Sequence, residues 1–375
     1  MPESSDQVRD TANELAGWVR LTAIPGLGRD SQRQLLAAFG EPQKIFAAAP
    51  SALRAVVGDT PAQALLAHNA DAEVEAALAW SGEHGNRIIT LADAEYPKAL
   101  LTAPDPPVLL YVKGRAELLN RPAIAIVGSR NATKQGEANA EAFAKALSAA
   151  GLTIISGLAL GIDAAAHRGA LAGGATGSTV AFIGTGADRI YPAGNESLAR
   201  DIAEHGCVVS EFHLGTPPLQ ANFPRRNRLI AGIALGCLVV EAAARSGSLI
   251  TARLAVDAGR EVFAIPGSIH SPLSKGCHAL IRQGAKLVER AEDILEELRW
   301  ESAVASHPAR AVAADTEESP VLSALGHDLC TIDTLSARSG LTPEQLLAML
   351  LPLELEGRVA QLPGGLYQRL QRSAK

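Results

Sequence analysis

The sequence predicts an α/β fold built around a mostly parallel sheet, with smaller modules before and after it. Nine short, uniformly apolar segments between residues 85 and 290 alternate with amphipathic stretches, which is the pattern of strands buried on both faces. An Ala- and Leu-rich stretch precedes this region and a compact unit follows it. The 375 residues are 47% hydrophobic and 20% charged, enough for two or three domains with one large core.

The first predicted domain, residues 8–82, is a series of short helices broken at glycine and proline. Residues 25–28 (PGLG) separate two of these helices and resemble a helix-hairpin-helix or SAM-like turn, whose backbone N–H groups can bind a DNA phosphate. The alternative is a plain helix corner, because only one such turn is present and few basic residues flank it.

Residues 83–300 form the predicted extended Rossmann-like domain. The expected strands lie at 87–90, 108–112, 123–127, 152–155, 179–183, 207–210, 237–240, 261–265 and 286–288. The expected helices lie at 136–150, 161–173, 195–206, 225–236 and 248–259.

Residues 301–320 lack periodicity and are predicted to be a linker. Residues 321–372 are predicted to form a winged-helix-like module of three short helices and a hairpin turning at Gly364-Gly365. Five acidic and three basic residues between 321 and 370 give this module a net charge of −2. Its expected recognition helix contains three glutamates and no base, which favours a protein-contact or structural role over DNA reading.

The overall charge limits the possible partners. A net charge of −6 and a pI near 5.9 exclude bulk attraction to nucleic acid or anionic membranes, so DNA binding would require a local basic patch. No apolar run is long enough to span a bilayer, and the polar, acidic N-terminus predicts no signal peptide. Cys207, Cys237, Cys277 and Cys330 lack zinc-type spacing. These features predict a cytoplasmic protein without a metal or membrane insertion.

Glycine and serine follow five of the predicted strands. Ligands bind open parallel sheets outside the carboxyl ends of the strands, where free N–H groups and helix dipoles favour anions. Ordinary turns also need glycine, so the argument rests on five such loops together. The residues concerned are Gly128, Ser129, Ser156, Gly157, Gly184, Gly247, Ser248, Gly267 and Ser268. Because neither GxGxxG nor a Walker loop is present, no NAD, ATP or other cofactor is predicted.

Basic residues supply the sharper signal. Lys113, Arg115, Arg121, Arg130 and Lys134 stand against one acid, Glu117, in the same stretch. Residues 223–228 (FPRRNR) then open a helix, where cations oppose the dipole. Arginine forks match phosphates, and an aromatic ring can stack a base. We therefore expect an anionic partner, with Phe223, Arg225, Arg226, Asn227 and Arg228 as contacts.

Four carboxylates, Asp163, Asp188, Glu211 and Glu241, also follow strands. Helix capping or pairing with arginines is the favoured interpretation. His167 lies four residues after Asp163 and is either a base or, more commonly, a buried hydrogen-bonded histidine. The acids are scattered over four segments without HExxH or DxD spacing, so no catalytic residues are predicted.

Taken together, the motifs resemble the DNA-processing protein A family, DprA, also called Smf. They are VGSR (127–130), SGLALGIDAAAH (156–167), GTGADRIYPAGN (184–195), SEF (210–212), FPRRNRLI (223–230), VVEAAARSGSLITARLA (239–255), VFAIPGS (262–268) and KGCHALIRQGA (275–285). The resemblance covers roughly residues 85–290 in order, and the flanking modules fit the same layout.

The resemblance implies a homodimer that binds and protects incoming single-stranded DNA and loads the RecA recombinase during natural transformation. It implies that Arg130, Phe223, Arg225, Arg226 and Arg228 contact DNA. The implied phosphate contacts, through backbone or hydroxyl groups, are Gly128, Ser129, Gly157, Gly184, Gly247 and Ser248; Ser156, Asn227 and Lys275 lie in the same motifs.

Two other functions remain open. The same fold type is used by the lysine-decarboxylase-like nucleotide phosphoribohydrolases, whose signature is PGGxGTxxE, and the departure of this chain from that signature weighs against hydrolysis. If Gly247-Ser248 replaces the GT of that signature, its glutamate falls on Thr251 and residues 244–246 (ARS) replace PGG, although Glu241 could substitute. A third possibility is an interaction scaffold. A DNA-binding protein would shift a labelled oligonucleotide, whereas a phosphoribohydrolase would release ribose phosphate from a nucleotide.

Overall fold

The N-terminal region is helical, with helices that begin and end near the predicted breakers. The computed structural model describes residues 5–103, 105–174, 178–300, 319–326, 329–362 and 364–369. The first helices are α1 Ser5–Ala23, α2 Arg29–Phe39, α3 Pro42–Ala47, α4 Pro50–Val57, α5 Asp59–Ala67 and α6 Asp71–Ser81. Leu21, Leu35, Ile45 and Leu53 form their common core.

A nine-stranded sheet forms the centre of the molecule. Its strands are β1 Asn86–Thr90, β2 Leu109–Gly114, β3 Ala123–Val127, β4 Thr153–Ser156, β5 Ser178–Phe182, β6 Cys207–Ser210, β7 Gly236–Val239, β8 Glu261–Ala264 and β9 Lys286–Leu287. The spatial order is β1-β2-β6-β5-β4-β3-β7-β8-β9. The pairings from β6 to β9 are parallel, whereas β1 and β2 form an antiparallel edge. The predicted fold class is thus confirmed.

Helices cover both faces of this sheet, as its apolar strands require. They are α7 Lys98–Leu101, α8 Lys134–Ala149, α9 Ile162–Ala172, α10 Glu196–His205, α11 Asn222–Ile233, α12 Ser248–Asp257, α13 Lys275–Arg282 and α14 Ala291–Glu297. Strand β3 shows the arrangement: Ile124 and Ile126 pack into one core, and Ala125 and Val127 into the core on the opposite face.

The strand order reverses beside β3. From β3 the chain adds β4, β5 and β6 on one side, then returns to add β7, β8 and β9 on the other. The carboxyl ends of β3 and β7 therefore flank a topological switch point, which is where ligands bind in open α/β sheets.

Ion pairs attach the N-terminal helices to the sheet domain. At the start of α2, the Arg29 guanidinium lies 2.8 Å from an Asp105 carboxylate oxygen and 3.0 Å from one of Glu211. Arg33 also pairs with Asp105, and Arg228 of α11 pairs with both acids. We call these five residues the arginine–carboxylate network. Because it begins directly after the PGLG turn, it places that turn close to the end of β6.

The C-terminal module is a winged helix, as predicted. It comprises α15 Pro320–Leu325, β10 Cys330–Thr331, α16 Ile332–Ser339, α17 Pro343–Leu355, β11 Val359–Leu362 and β12 Leu366–Arg369, with sheet order β10-β12-β11. Leu322, Leu335, Leu346, Leu350 and Tyr367 fill its separate core. Most of the predicted linker, residues 301–318, lies outside the described residues. The domain boundaries remain predictions.

No helix among the described residues is both long and apolar enough to cross a membrane.

Candidate nucleic-acid interface

The loops after β5, β4, β3, β7 and β8 lie side by side along one border of the sheet, which we call the strand-end edge. Parallel strands are about 4.8 Å apart, so this edge is roughly 19 Å long from β5 to β8. The topology thus brings the five glycine- and serine-containing loops together, as the sequence predicted.

An exposed arginine and two aromatic rings meet on this edge. The Arg130 guanidinium carbon lies 5.5 Å from the centroid of the Phe223 ring, within cation–π range. The centroids of the Phe223 and Tyr191 rings are 5.6 Å apart. Gly184 makes room for this packing, since a Cβ there would lie 2.9 Å from the Phe223 ring. We call these three side chains the Arg130–Phe223–Tyr191 cluster.

Apolar groups beside the cluster were not expected from the sequence. Tyr191 is 45% exposed and its neighbour Ile190 is 42% exposed. Leu160, on the loop after β4, is 47% exposed. Tyr191 could have been found from composition, because aromatic residues are only 4% of the chain and this one follows a strand-end loop.

Arg226 lies beneath the surface rather than on it. The sequence placed it among the DNA contacts, but it is only 4% exposed. Its Nη1 donates to the carbonyl of Gly157 at 2.7 Å and also to that of Phe182. From the other side, the N–H of Gly157 donates to the Asp163 carboxylate at 3.1 Å. Gly157 is therefore held through both its N–H and its carbonyl, and its N–H is not free to bind a phosphate.

Burial shifts the pKa values of both charged residues that bind Gly157, Arg226 and Asp163. It lowers the pKa of Arg226 to about 10, although the nearby Asp163 carboxylate opposes the shift. It raises the pKa of Asp163, against the opposing effects of Arg226 and of the backbone N–H groups. At neutral pH Arg226 remains protonated and compensates the acid below the loop.

His167 supports the same loop as a neutral side chain. Thr179 uses its hydroxyl proton on the Ile154 carbonyl, so its oxygen accepts the Nδ1–H of His167 at 2.7 Å. The His167 Nε2 then accepts the N–H of Leu158, which has a left-handed φ of 58°. Burial lowers the pKa of His167 to about 3. The histidine is the buried, hydrogen-bonded alternative and not an exposed base.

The remaining residues of the FPRRNR segment have different environments. Arg225 is exposed, with its guanidinium carbon 5.4 Å from the Phe212 ring centroid. Asn227 is half-buried. Arg228 belongs to the arginine–carboxylate network, and its side chain is only 16% exposed. Arg225 is therefore the arginine of this segment that faces solvent.

The loop after β3 is tied to Glu241, just after the end of β7, through backbone and carboxylate, and the end of β4 is tied to β3. Ser129 donates its N–H to the Glu241 carbonyl at 2.7 Å. The Glu241 carboxylate accepts the Thr133 N–H at 2.9 Å and the Thr133 hydroxyl at 2.6 Å. A Cβ on Gly128 would lie 2.6 Å from Ile162. Ser156 is buried and donates to the carbonyl of Ile126.

The far end of the strand-end edge is polar and more open. Gly247 is exposed and a Cβ there would meet nothing within 4 Å. Ser248, at the start of α12, is buried, with its hydroxyl 2.7 Å from that of Ser246. Lys275 is exposed and its ammonium contacts the carbonyl of Ile269.

Each strand-end carboxylate already has a protein partner. Besides Asp163 and Glu241, Asp188 accepts the N–H of Gly215 at 2.8 Å, and Glu211 belongs to the arginine–carboxylate network. The described residues contain no group of three or more His, Cys, Asp or Glu side chains suited to a metal. The expected capping or arginine pairing is seen for two of the four acids: Glu211 pairs with arginines and Glu241 binds Thr133 at the start of α8. Asp163 and Asp188 instead accept backbone N–H groups of loops.

The basic residues of 113–134 do not form one patch, contrary to their grouping in the sequence. Arg115 and Arg121 lie between the end of β2 and the start of β3, with Lys113 near the end of β2. Arg130 and Lys134 follow β3 at its other end. Because β3 runs across the sheet between them, only Arg130 and Lys134 belong to the strand-end edge.

Comparison with known proteins agrees with this architecture. The profile described as DNA recombination-mediator protein A matches residues 87–299, more than half of the chain, and the DprA winged helix domain matches residues 305–365. Protein Smf of Escherichia coli K12 is 42% identical over 310 residues, covering 80% of this chain and 82% of the relative. DNA processing protein DprA of Streptococcus pneumoniae is 49% identical over 211 residues, covering 56% and 74%.

Two solved structures share the fold. DprA from Streptococcus pneumoniae superposes with a TM-score of 0.67 at 38% identity and covers 75% of this chain and 97% of that one. DprA from Helicobacter pylori, whose structure was described for its single-stranded DNA binding mode, gives 0.52 at 30% identity, covering 57% and 96%. By its sequence, its strand order and its winged helix, the chain belongs to the DNA recombination-mediator protein A family, DprA, also called Smf.

Proposed function

We propose that the chain binds single-stranded DNA along the strand-end edge and acts as a recombination mediator. The observation that carries the proposal is the Arg130–Phe223–Tyr191 cluster, which combines an exposed cation with two aromatic rings. An arginine fork pairs with a phosphate, and an aromatic face stacks on a base that has left its duplex. The combination therefore selects single strands and tolerates any sequence.

The rest of the edge would guide the backbone. Arg225 and Lys134 are exposed on the part of the strand-end edge that carries the cluster. Gly247 and Lys275 are exposed on the part towards β8. Gly128 and Gly184 make room for the protein's own Ile162 and Phe223 side chains, so together with half-buried Ser129 they shape the edge. In this proposal Ser156, Gly157, Arg226 and Ser248 act from below, because they are buried, and Asn227 and Arg228 support α11.

Relatives support the assignment of the ligand. The Helicobacter pylori DprA is described as binding single-stranded DNA. The family description, recombination mediator, makes a recombinase the expected partner. We therefore also propose RecA as partner, a homodimer as the working form, the cytoplasm as location, and protection of incoming DNA during natural transformation as the setting.

The test is a fluorescence-anisotropy titration with a labelled thymidine oligonucleotide and a matched duplex at several salt concentrations. We expect preference for the single strand and a negative slope of log affinity against log salt. Arg130→Ala should weaken binding at least tenfold and reduce the slope by about 0.7, as one phosphate contact is lost. Phe223→Leu should weaken binding by about 1–3 kcal/mol with a smaller change of slope than Arg130→Ala, because it removes the stacking ring and keeps the cation.

Arg87→Ala is the matched control for Arg130→Ala. Arg87 is an exposed arginine on β1, at the far end of the sheet, and pairs with Glu95. It should leave binding unchanged. Equal affinity for single strand and duplex at moderate salt would contradict the proposal, as would equal effects of Arg87→Ala and Arg130→Ala.

We propose that the chain does not hydrolyse nucleotides or DNA. Glu241, which could substitute for the hydrolase glutamate, caps the start of α8 through Thr133, and Thr251 at the signature position is buried. Burial raises the pKa of the Glu241 carboxyl, and the Thr133 hydrogen bonds oppose this shift. Incubation with AMP, and separately with labelled DNA and magnesium or manganese, should yield no product. Ribose 5-phosphate release abolished by Glu241→Gln would favour the enzyme instead.

A further inference from the structure

The winged helix rests against the first turn of α8, next to the loop that carries Arg130. The side-chain oxygen of Gln368 on β12 accepts the backbone N–H of Gln135 at 3.3 Å. Gln368 is only 4% exposed, so the contact is enclosed. Gln135 is five residues after Arg130 and immediately follows Lys134, the first residue of α8.

This contact occupies a position that suits an anion. Backbone N–H groups in the first turn of a helix point outward without helical partners, and the helix dipole favours negative charge there. In α8, the Gly136 N–H is bound by Thr133 and the Thr133 N–H by Glu241. The Gln135 N–H is used by the winged helix, so this donor is closed to a DNA phosphate while the module is seated.

Charge makes the seated module an obstacle to DNA. Residues 321–370 contain five acidic and three basic residues, a net charge of −2. Arg130 and Lys134 stay exposed beside the seated module, so the module adds net negative charge next to these two cations without covering them. A polyanion approaching the same border would find the Gln135 donor blocked and would meet like net charge beside it.

The contact is also imperfect in a way that favours release. The side-chain oxygen of Gln135 is buried without a hydrogen-bond partner. Burying an amide oxygen without a partner is unfavourable, so the first turn of α8 carries an unsatisfied polar group beside the seated module. A ligand that binds only the open edge would displace the module.

We propose that the winged helix is an autoinhibitory cover: seated through Gln368 on α8 it competes with single-stranded DNA, and DNA binding releases it. This inference rests on the proposed function. It gives the acidic module a role within the chain that does not depend on DNA reading by α17.

The test locks the contact in the full chain. Gln135→Cys and Gln368→Cys are introduced together and oxidised; the four native cysteines are all buried. We expect the disulfide to form, the oxidised protein to bind a thymidine oligonucleotide at least tenfold more weakly, and dithiothreitol to restore the affinity. The oligonucleotide, added first, should slow disulfide formation. The two single-cysteine variants, treated identically, control for oxidation and for each substitution.

A second variant opens the contact instead. Gln368→Ala removes the acceptor, and we expect two- to fivefold tighter binding. Equal affinity of the oxidised and reduced proteins, or an unchanged affinity of Gln368→Ala, overturns the cover while leaving DNA binding intact. Absence of oligonucleotide binding in every form, Gln368→Ala included, overturns the proposed function and the cover with it.

Discussion

Arg225 and Arg226 are neighbours in the sequence and occupy opposite environments. Arg225 is exposed over the Phe212 ring, whereas Arg226 is buried and binds two backbone carbonyls. A buried guanidinium requires hydrogen bonds and a compensating carboxylate, and Asp163 supplies the latter. The two arginines therefore separate surface binding from support of the loop.

Substitution of each arginine by methionine should show this separation. Arg226→Met leaves Asp163 buried without its partner, and we expect a loss of about 3–5 kcal/mol in the free energy of unfolding. Arg225→Met should change that free energy by no more than about 0.5 kcal/mol and weaken oligonucleotide binding. Urea unfolding and anisotropy titration measure the two effects. A stable Arg226→Met protein would show that the contacts of Arg226 with Gly157 and Asp163 do not stabilise the fold.

His167 predicts a pH dependence of stability. Its folded pKa of about 3 lies below its ordinary value of 6.5, so between these values the unfolded chain binds more protons than the folded one. The contribution of this residue to the free energy of unfolding therefore falls as the pH drops below about 6.5. The slope is at most about 1.4 kcal/mol per pH unit, the value for one bound proton. Urea unfolding at pH 7, 6 and 5 measures the slope. His167→Gln should flatten it; an unchanged slope would assign the effect to other groups.

Among the secondary-structure elements, the loop after β4 shows how backbone contacts order the strand-end edge. Gly161 has a φ of +72°, and a Cβ there would lie 2.4 Å from the carbonyl oxygen of Ser129. The N–H of Ile162 donates to that same carbonyl at 3.2 Å. The loops after β3 and β4 are thus in direct backbone contact, and the position of Arg130 depends on both.

Gly161→Ala and Gly151→Ala form a matched pair for this contact. Gly151 also has a positive φ, +97°, but a Cβ there would meet open space. Alanine at 151 should cost about 1–2 kcal/mol for the left-handed backbone. Alanine at 161 should cost about 1–3 kcal/mol more, because it also collides with Ser129, and should weaken oligonucleotide binding. Thermal unfolding measures the loss of stability and anisotropy measures the binding. Equal losses of stability in the two variants would show that the Ser129 backbone moves aside without a free-energy cost.

At the scale of the whole molecule, an acidic chain with one small basic border binds a polyanion weakly, and two linked borders gain avidity. Helix α12 exposes Ile250, Arg253, Val256 and Asp257 over one arc of about 120°. Val256 is 60% exposed, an unusual state for a large apolar side chain on a well-packed helix. This face supports the proposed homodimer.

Light scattering of the full chain should report twice the chain mass of 39.0 kDa. Val256→Glu should reduce the measured mass to that of one chain, since it buries a carboxylate in the proposed interface. Leu66→Glu, at an exposed leucine of α5, should leave the dimer intact. A monomeric wild type at micromolar concentrations would contradict the dimer, and equal effects of the two substitutions would place it elsewhere.

The sequence by itself determined the fold class and the loops of the edge. Uniformly apolar segments such as residues 123–127 specify strands buried on both faces, and their alternation with amphipathic helices specifies a parallel sheet. Since parallel strands end at a common border, the glycine and serine positions followed directly. These are local properties, readable from periodicity and turn chemistry.

Only the tertiary structure decided which side chains of the edge face solvent. Arg225, Arg226 and Arg228 are alike in sequence, but the turn of α11 exposes the first, buries the second and directs the third to Glu211, 17 residues away. Tyr191 joins Phe223 from a different loop, and Arg115 and Arg130 separate because β3 lies between them. Burial and pairing depend on contacts between segments distant in the chain, and these contacts are fixed by the packing of helices on the sheet rather than by local pattern.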